Sequence, residues 1–510
     1  MADQVFFWSI LVFLFLMLGV GVYASKKIKG DSVNYIVAGR GLLLPLATAT
    51  LMAQAVDSNG TLGNTDLTAK FGFWAGASLP LGIALCLFLT GLFFAKPLNR
   101  MNLITFPDFY RHKYGRVTEF VASLIMVMSF SFLLAGNLVA GGFLFETFLG
   151  TSYTAGVVFI TFGVVFITLI AFIYTITGGL FAVAYTDAIQ AGVALFGSLA
   201  LIGYVWGTFG ITIPEGSGPL AFEQLTNPEA GAIVNWATLL ALGLGDIVAI
   251  DFMERVFAAD SPQTAQRACF MGCIGTIIVG VPFSIVALSA SQILEEAGVT
   301  ADDPILFALL ENVIPLALAL PILGTIISAS LSTSDGAILG TSSVFARNII
   351  GVRGTEDRRQ GDKLLWTARS MAVPIALLGI VLALRVPETG VLLLLAFDIG
   401  FAALLVPLAG GLYWLKATKQ GALSCIAVGS VTRLVLFALM PVMFGIENTL
   451  LYIPNDIFTK DFDGIPTLIS PLVGLVTFIA VSHLTYGRGE NTSERSPQQH
   501  SEQIKQQTSK

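Results

Sequence analysis

Asp57-Ser58-Asn59-Gly60-Thr61, followed by Gly63, Asn64 and Asp66, is a polar, glycine-rich run inside an otherwise apolar stretch spanning 42–70. A second interruption, Gly243-Leu244-Gly245-Asp246 and then Asp251, falls inside the apolar stretch 233–257. Glycine costs about 1 kcal/mol per helix position relative to alanine, and an intramembrane charge about 2.5–3.5 kcal/mol on insertion scales. An unbroken lipid-facing helix does not carry such segments. They survive where they line a cavity.

The rest of the chain makes a bilayer the relevant solvent. Of 510 residues, 55% are hydrophobic and 12% charged, whereas soluble domains carry about 25% charged residues. A soluble fold is excluded. Apolar runs of about 20 residues, rather than alternating segments of about ten, also exclude a transmembrane barrel. Thirteen candidate helical spans result, at 5–23, 42–70, 73–94, 121–148, 155–176, 181–209, 233–257, 269–292, 315–345, 366–386, 391–414, 422–445 and 468–486. The fold class is therefore an all-α polytopic membrane protein. The run 5–23 lacks the basic region of a cleaved signal peptide and is expected to be an uncleaved helix. Residues 1–486 read as a single transmembrane transporter domain, and 487–510 as a polar, disordered, cytoplasmic tail.

The positive-inside rule tests that count. With thirteen spans, one face collects 22 of the 27 basic residues, in the segments 26–40, 96–116, 255–267, 347–363, 416–419 and 488–510. The other face holds only Lys70, Arg385 and Lys460, and Arg369 and Arg433 fall inside spans. A miscounted helix would scramble this segregation. The N-terminus is expected outside and the C-terminus in the cytoplasm. Outer loops are acidic instead, at 215–229, 295–303 and 456–463.

The two broken spans head segments of similar length, 42–209 and 233–414, each with five spans. Because five is odd, the second segment enters the membrane from the opposite side to the first. That is an inverted repeat, and paired glycine-interrupted spans at matching positions point to the binding site of a secondary transporter.

No enzyme constellation appears: there is no P-loop and no HExxH, and His112, His483 and His500 are far apart in sequence. The chain reads as a non-enzyme with no bound cofactor, so uphill transport must draw on an ion gradient. Cys86, Cys269, Cys273 and Cys425 lie in or at the ends of apolar spans and read as packing thiols. The ninth span holds Ala329-Ser330-Leu331-Ser332-Thr333-Ser334-Asp335-Gly336. Positions 329, 332 and 333 share one helix face, so a carbonyl and two hydroxyls present oxygens together, as a hard cation such as Na⁺ requires. The same hydroxyls otherwise bond their own i−4 carbonyls or a neighbouring helix. Spacing alone leaves both readings open.

Landmarks along residues 5–445 carry a family resemblance. They are Tyr35-Ile-Val-Ala-Gly-Arg40, the Asp57 break, Pro107-Asp-Phe-Tyr110 with Tyr114-Gly115, Tyr174-Thr-Ile-Thr-Gly-Gly179, and Thr186-Asp187 with Gln190. Arg255, Ala259, Gln266-Arg267, Leu331-Ser-Thr-Ser-Asp335 and Gly411-Leu-Tyr-Trp414 follow in order. The ordered set resembles the sodium:solute symporter family. That resemblance implies the LeuT-type 5+5 inverted-repeat fold, here with one extra N-terminal and two extra C-terminal helices. It also implies a Na⁺ site of the Ala55 and Ser58 carbonyls, the Ala329 carbonyl and the Ser332 and Thr333 hydroxyls. A candidate second ion site would use Asp187 and Asp335, although Asp335 and Gly336 stand where some members have serines. Glu254 stands where the family often has glutamine, and is expected to pair with Arg255 or Arg267 at a helix end.

The reading is a Na⁺-coupled secondary active symporter, with Na⁺, a small organic solute and the lipid bilayer as its partners. No nucleic acid and no obligate protein partner are implied. The candidate solute residues are Asp57, Asn59, Gly60, Asp246 and Asp251, with Phe71, Phe73 or Trp74 as an aromatic face. Acidic residues crowd the core spans, and Arg255 and Arg369 are placed near inner helix ends. The solute is therefore expected to carry an amino or quaternary ammonium group. The alternatives are a proton-coupled carrier relaying through Asp57 or Asp187, a monocarboxylate, urea or sugar carrier of the same fold, and a transporter-like sensory module. No outer loop carries a glycosylation sequon, which leans toward a bacterial inner membrane.

Overall fold

Apolar runs in lipid have no water to satisfy their amides, so each closes its own helical ladder. A computed structural model describes residues 2–148, 156–299, 304–353, 362–386, 389–448 and 451–487. The expected disorder of the tail falls almost wholly outside these residues. The longer helices are α1 (Ala2–Ala24), α2 (Leu44–Ala55), α3 (Asn64–Phe71), α4 (Phe73–Leu89), α5 (Arg116–Phe148), α6 (Gly156–Thr208), α7 (Ala232–Gly245) and α8 (Ile250–Ala258). They continue with α9 (Pro262–Glu296), α10 (Leu316–Val344), α11 (Lys363–Arg385), α12 (Thr389–Ala403), α13 (Leu405–Tyr413), α14 (Lys419–Leu439) and α15 (Ile465–Thr485). The strands of the described residues are one short hairpin, Val442–Met443 with Ile446–Glu447.

Among the described residues nine helices are long and apolar enough to cross a membrane, or up to eleven if the bent pairs α7/α8 (49°) and α12/α13 (41°) are each one span. Thirteen is not reached on that criterion, and the difference has two sources. The pair α2/α3 is interrupted, so neither half is long enough alone. Conversely, α6 counts once although its 53 residues, at about 1.5 Å each, would reach about 80 Å against a hydrocarbon core of about 30 Å. Gly179 divides it with non-helical φ 49°, ψ −149°, between the expected spans 155–176 and 181–209. A side chain could not replace that glycine, because a Cβ there would stand 2.3 Å from the Tyr35 carbonyl oxygen.

Helix α10 is central, packed against α6, α5, α11 and α2, with 72% of its apolar window buried. Helix α1 is peripheral, at 28%. The C-terminal helices are tied on by a buried charge pair, in which Arg433 of α14 donates Nε to Asp398 of α12 at 2.6 Å. Thr467 of α15 donates to the same carboxylate at 3.0 Å. Asp398 and Arg433 are thus partners, and the guanidinium is compensated within the protein as burial demands.

Candidate functional site

The first break is a true interruption. Helix α2 stops at Ala55, Val56 leaves helical geometry at φ −101°, ψ 84°, and Asn59–Gly63 forms a π-helical turn leading into α3. The last carbonyls of α2 therefore have no intrahelical partner. Asp57 caps the turn, its Oδ1 accepting the Gly60 amide at 2.8 Å. The Asn59 side chain lies outside the described residues.

The break packs on α10. Ser332 donates Oγ to the Ala53 carbonyl at 2.9 Å and lies 3.4 Å from the Ala329 carbonyl. One turn on, a Cβ at Gly336 would stand 2.5 Å from Gln54 Oε1, so α2 and α10 approach as closely as glycine permits. Helix α5 bridges the two through Asn137, whose Oδ1 accepts the Ser58 amide at 3.2 Å and whose carbonyl accepts Ser330 Oγ at 2.7 Å. The structure therefore gathers Ser58, Ala329 and Ser332 around the end of α2.

Whether these residues suit a hard cation can be judged from what is left unbonded. The Thr333 and Ser58 hydroxyls are buried with no hydrogen-bond partner among the described residues, and such orphans carry a cost of about 1–3 kcal/mol. A Na⁺ ion takes hydroxyl and carbonyl oxygens as ligands, so this donor set fits it.

The second break differs from its sequence signature. Gly243 and Gly245 remain helical within α7, and the chain turns later, through a 3-10 turn at Asp246–Val248 and an extended Ala249 (φ −68°, ψ 131°). The glycines serve packing. A Cβ at Gly243 would lie 2.8 Å from Leu85 Cδ2, and one at Gly245 would lie 2.7 Å from the Phe397 carbonyl oxygen. Asp246 is buried within electrostatic reach of Asp251 and Asp57. Asp251 accepts Gln54 Nε2 at 2.5 Å and its neighbour's amide, Phe252 N, at 2.7 Å.

Beside these residues stands a charged group whose partners the sequence did not show. Arg255 lies in the last turn of α8, near a helix end as expected, but it does not point out of the bundle. Its side chain is instead fully buried and donates Nη2 to Asp187 Oδ2 at 3.0 Å, Nε to Thr50 Oγ1 at 2.9 Å and Nη1 to the Asp251 carbonyl at 3.1 Å. Thr50 also donates to Asp187. Asp187 is therefore held by a guanidinium, and Asp335 accepts the Tyr174 hydroxyl at 2.5 Å. The expected pairing of Glu254 with Arg255 or Arg267 is corrected: both Glu254 carboxyl oxygens are buried without a hydrogen-bond partner among the described residues. Adjacent positions on a helix do not face each other, which is why Arg255 reaches elsewhere.

The aromatic face expected for a solute is occupied in part. Trp74 donates Nε1 to the Pro219 carbonyl at 3.2 Å and packs edge-on to Phe73. Sequence reasoning missed Thr50, Gln54 and Asn137, and used Tyr174 only as a landmark. The available signal was their polarity inside apolar spans, with Thr50 and Gln54 one turn apart just before the break.

Comparison with known proteins completes the picture. The model of the sodium:solute symporter family matches residues 35–429. The high-affinity proline transporter PutP of Bacillus subtilis is 28% identical over 440 residues, covering 82% of this chain and 89% of that one. The sodium/pantothenate symporter of Haemophilus influenzae is 26% identical over 507 residues, covering 95% and 97%. The human high affinity choline transporter 1 is 28% identical over 363 residues, and this chain spans 61% of its length. Among solved structures, a substrate-bound, outward-open Na⁺-coupled sialic acid symporter superposes with a TM-score of 0.73 at 16% identity, covering 95% of this chain and 98% of that one. MhsT in complex with L-phenylalanine gives 0.50 at 16% identity, covering 87% and 98%. These likenesses show the fold, which is the LeuT type. The chain belongs to the sodium:solute symporter family.

Proposed function

We infer that the protein is a Na⁺-coupled symporter that imports a small organic solute by alternating access. The observation that carries this is the α2/α3 break packed on α10, with the Thr333 and Ser58 hydroxyls buried and without a hydrogen-bond partner among the described residues. Na⁺ is held by the carbonyls of Ala55, Ser58 and Ala329 and the hydroxyls of Ser332 and Thr333. Asp187 and Asp335 form the candidate second ion position. In this conformation Arg255 supplies the positive charge at Asp187, so a second ion there requires that pair to open. The driving force suffices, since one charge crossing about 100 mV gives about 2.3 kcal/mol, close to fiftyfold accumulation.

The repeats at 42–209 and 233–414 within a single domain, the external N-terminus and the bacterial inner membrane belong to the same reading; the positions of the two breaks support the repeats, the segregation of basic residues between loops supports the orientation, and the lack of an outer sequon supports the membrane. The solute carries an amino or quaternary ammonium group and sits at the two breaks, near Asp57, Asn59, Gly60, Asp246 and Asp251. The buried acids of α8 and the breaks favour it. So do the named activities of the proline and choline transporters, whereas the pantothenate symporter argues for a carboxylate instead. Proteoliposome uptake decides: competition among proline, betaine, choline, pantothenate, acetate and a hexose, with and without a Na⁺ gradient. Competition by proline, betaine or choline alone supports the reading, and acetate or hexose as sole competitor overturns the ammonium assignment. Uptake that follows a proton gradient unchanged without Na⁺ overturns the coupling.

A further inference from the structure

At the end of the bundle where α5 begins and α10 ends, a polar cavity of about 640 Å³ is lined by Asn102, Asp108, Arg111, His112, Arg347 and Arg353 among others. Two carboxylates organise its arginines. Asp108 accepts Arg347 Nε at 2.7 Å and Arg353 Nη1 at 2.9 Å. Glu119 accepts Arg353 Nη2 at 2.7 Å and Arg111 Nη1 at 3.2 Å, with Arg116 at 4.0 Å. The Asn348 amide joins the two acids at 3.1 and 2.8 Å.

Arg40 approaches the same rim, its Nη2 donating to the carbonyls of Asn102 at 2.6 Å and Leu103 at 3.2 Å. Its Nε is buried with no hydrogen-bond partner among the described residues. Burial and then the like charge of Arg347 hold the Arg40 guanidinium below its usual value. Arg347 uses only Nε on Asp108, so its two terminal nitrogens carry no hydrogen bond among the described residues. Among the described residues five arginines thus meet two carboxylates, and Arg40 and Arg347, within electrostatic reach of each other, both have donors to spare. An anion with several oxygens is the complement of what is present.

We propose that this cavity binds a phosphate-bearing anion, with Arg40, Arg347 and Arg111 donating to its oxygens. The planar guanidinium fork matches phosphate geometry, and basic pockets at helix ends near the membrane surface take lipid head groups. The phosphate belongs either to an anionic phospholipid or to a soluble phosphate, and the chemistry of the two is shared.

The test uses the full chain in detergent. Native mass spectrometry after delipidation and addition of phosphatidylglycerol or phosphatidylcholine measures retained lipid. Thermal unfolding with inorganic phosphate against chloride at equal ionic strength measures the soluble source. Wild type is expected to retain phosphatidylglycerol over phosphatidylcholine, or to be stabilised by phosphate. Arg40→Gln and Arg111→Gln should each reduce the effect about fivefold, as about 1 kcal/mol per arginine implies. Arg111→Gln leaves Glu119 bound to Arg353 and Asn348, so it carries the test if Arg40→Gln does not fold. Selective lipid retention assigns the lipid source, and phosphate-specific stabilisation the soluble one. Neither effect in wild type, or equal effects in wild type and Arg111→Gln, overturns the proposal.

Discussion

Arg255 on α8 donates to Asp187 on α6 at 3.0 Å with both side chains fully buried. Removing one partner of a buried pair typically costs about 3–5 kcal/mol, because the other charge is left uncompensated, while replacing both by apolar groups is often neutral or better. Arg255→Met alone should therefore lower the thermal unfolding midpoint of the purified protein sharply, and Arg255→Met with Asp187→Leu should restore much of it. A single variant as stable as wild type would show that the pair contributes nothing to the fold.

Glu254 presents the reverse situation, a buried carboxyl with no donor on either oxygen among the described residues. An unsatisfied buried polar group costs about 1–3 kcal/mol. Glu254→Met keeps similar length and removes both orphan oxygens, so it should raise the unfolding midpoint. A clear fall would mean that Glu254 makes an essential interaction in the folded protein, and uptake measurements on the same variant would then tell structure from transport.

The topology follows from the charge segregation of the loops. Cysteines introduced singly at Ser217 and Gly354, in a variant whose four native cysteines are replaced, should be labelled by an impermeant reagent from opposite sides of the membrane. Labelling of both from the same side would mean that the span count is wrong.

Much of the fold was legible because its signals are large. Twenty-residue apolar runs and loop charges are set by the bilayer itself, so α1, α5, α9, α10, α11, α14 and α15 lie where hydropathy placed them. The break at Asp57 was legible for a similar reason, since polar residues at that depth admit few explanations. The second break was read three residues early because glycine has two uses. At Gly243 and Gly245 it admits Leu85 and the Phe397 carbonyl rather than ending the helix. The Arg255–Asp187 pair was hidden because its partners are 68 residues apart, whereas Glu254 is adjacent in sequence and yet points away. Side-chain direction around a helix, not proximity along the chain, decided that contact.

Ser332 and Thr333 separate structure from ion binding. Ser332 bonds the Ala53 carbonyl, so its hydroxyl already serves the packing of α10 on α2. The Thr333 hydroxyl is buried and has no hydrogen-bond partner among the described residues. Loss of a neutral ion ligand should cost at least as much as a charge-assisted hydrogen bond, about 1.5–3 kcal/mol, or roughly ten- to hundredfold in apparent Na⁺ affinity. Ser332→Ala should lose both stability and Na⁺ affinity, because an unbonded Ala53 carbonyl is left behind. Thr333→Val, which keeps the shape and removes an orphan hydroxyl, should not lower the Na⁺-free unfolding midpoint and should raise it, as at Glu254. Its Na⁺-induced rise in midpoint should shift to higher Na⁺ concentration by that same factor. Midpoints and Na⁺-dependent uptake are measured on the same preparations, so a misfolded variant is recognised before its affinity is interpreted. If Thr333→Val transports with the wild-type Na⁺ dependence, the hydroxyl is not a ligand and the assignment of the ion to this face fails.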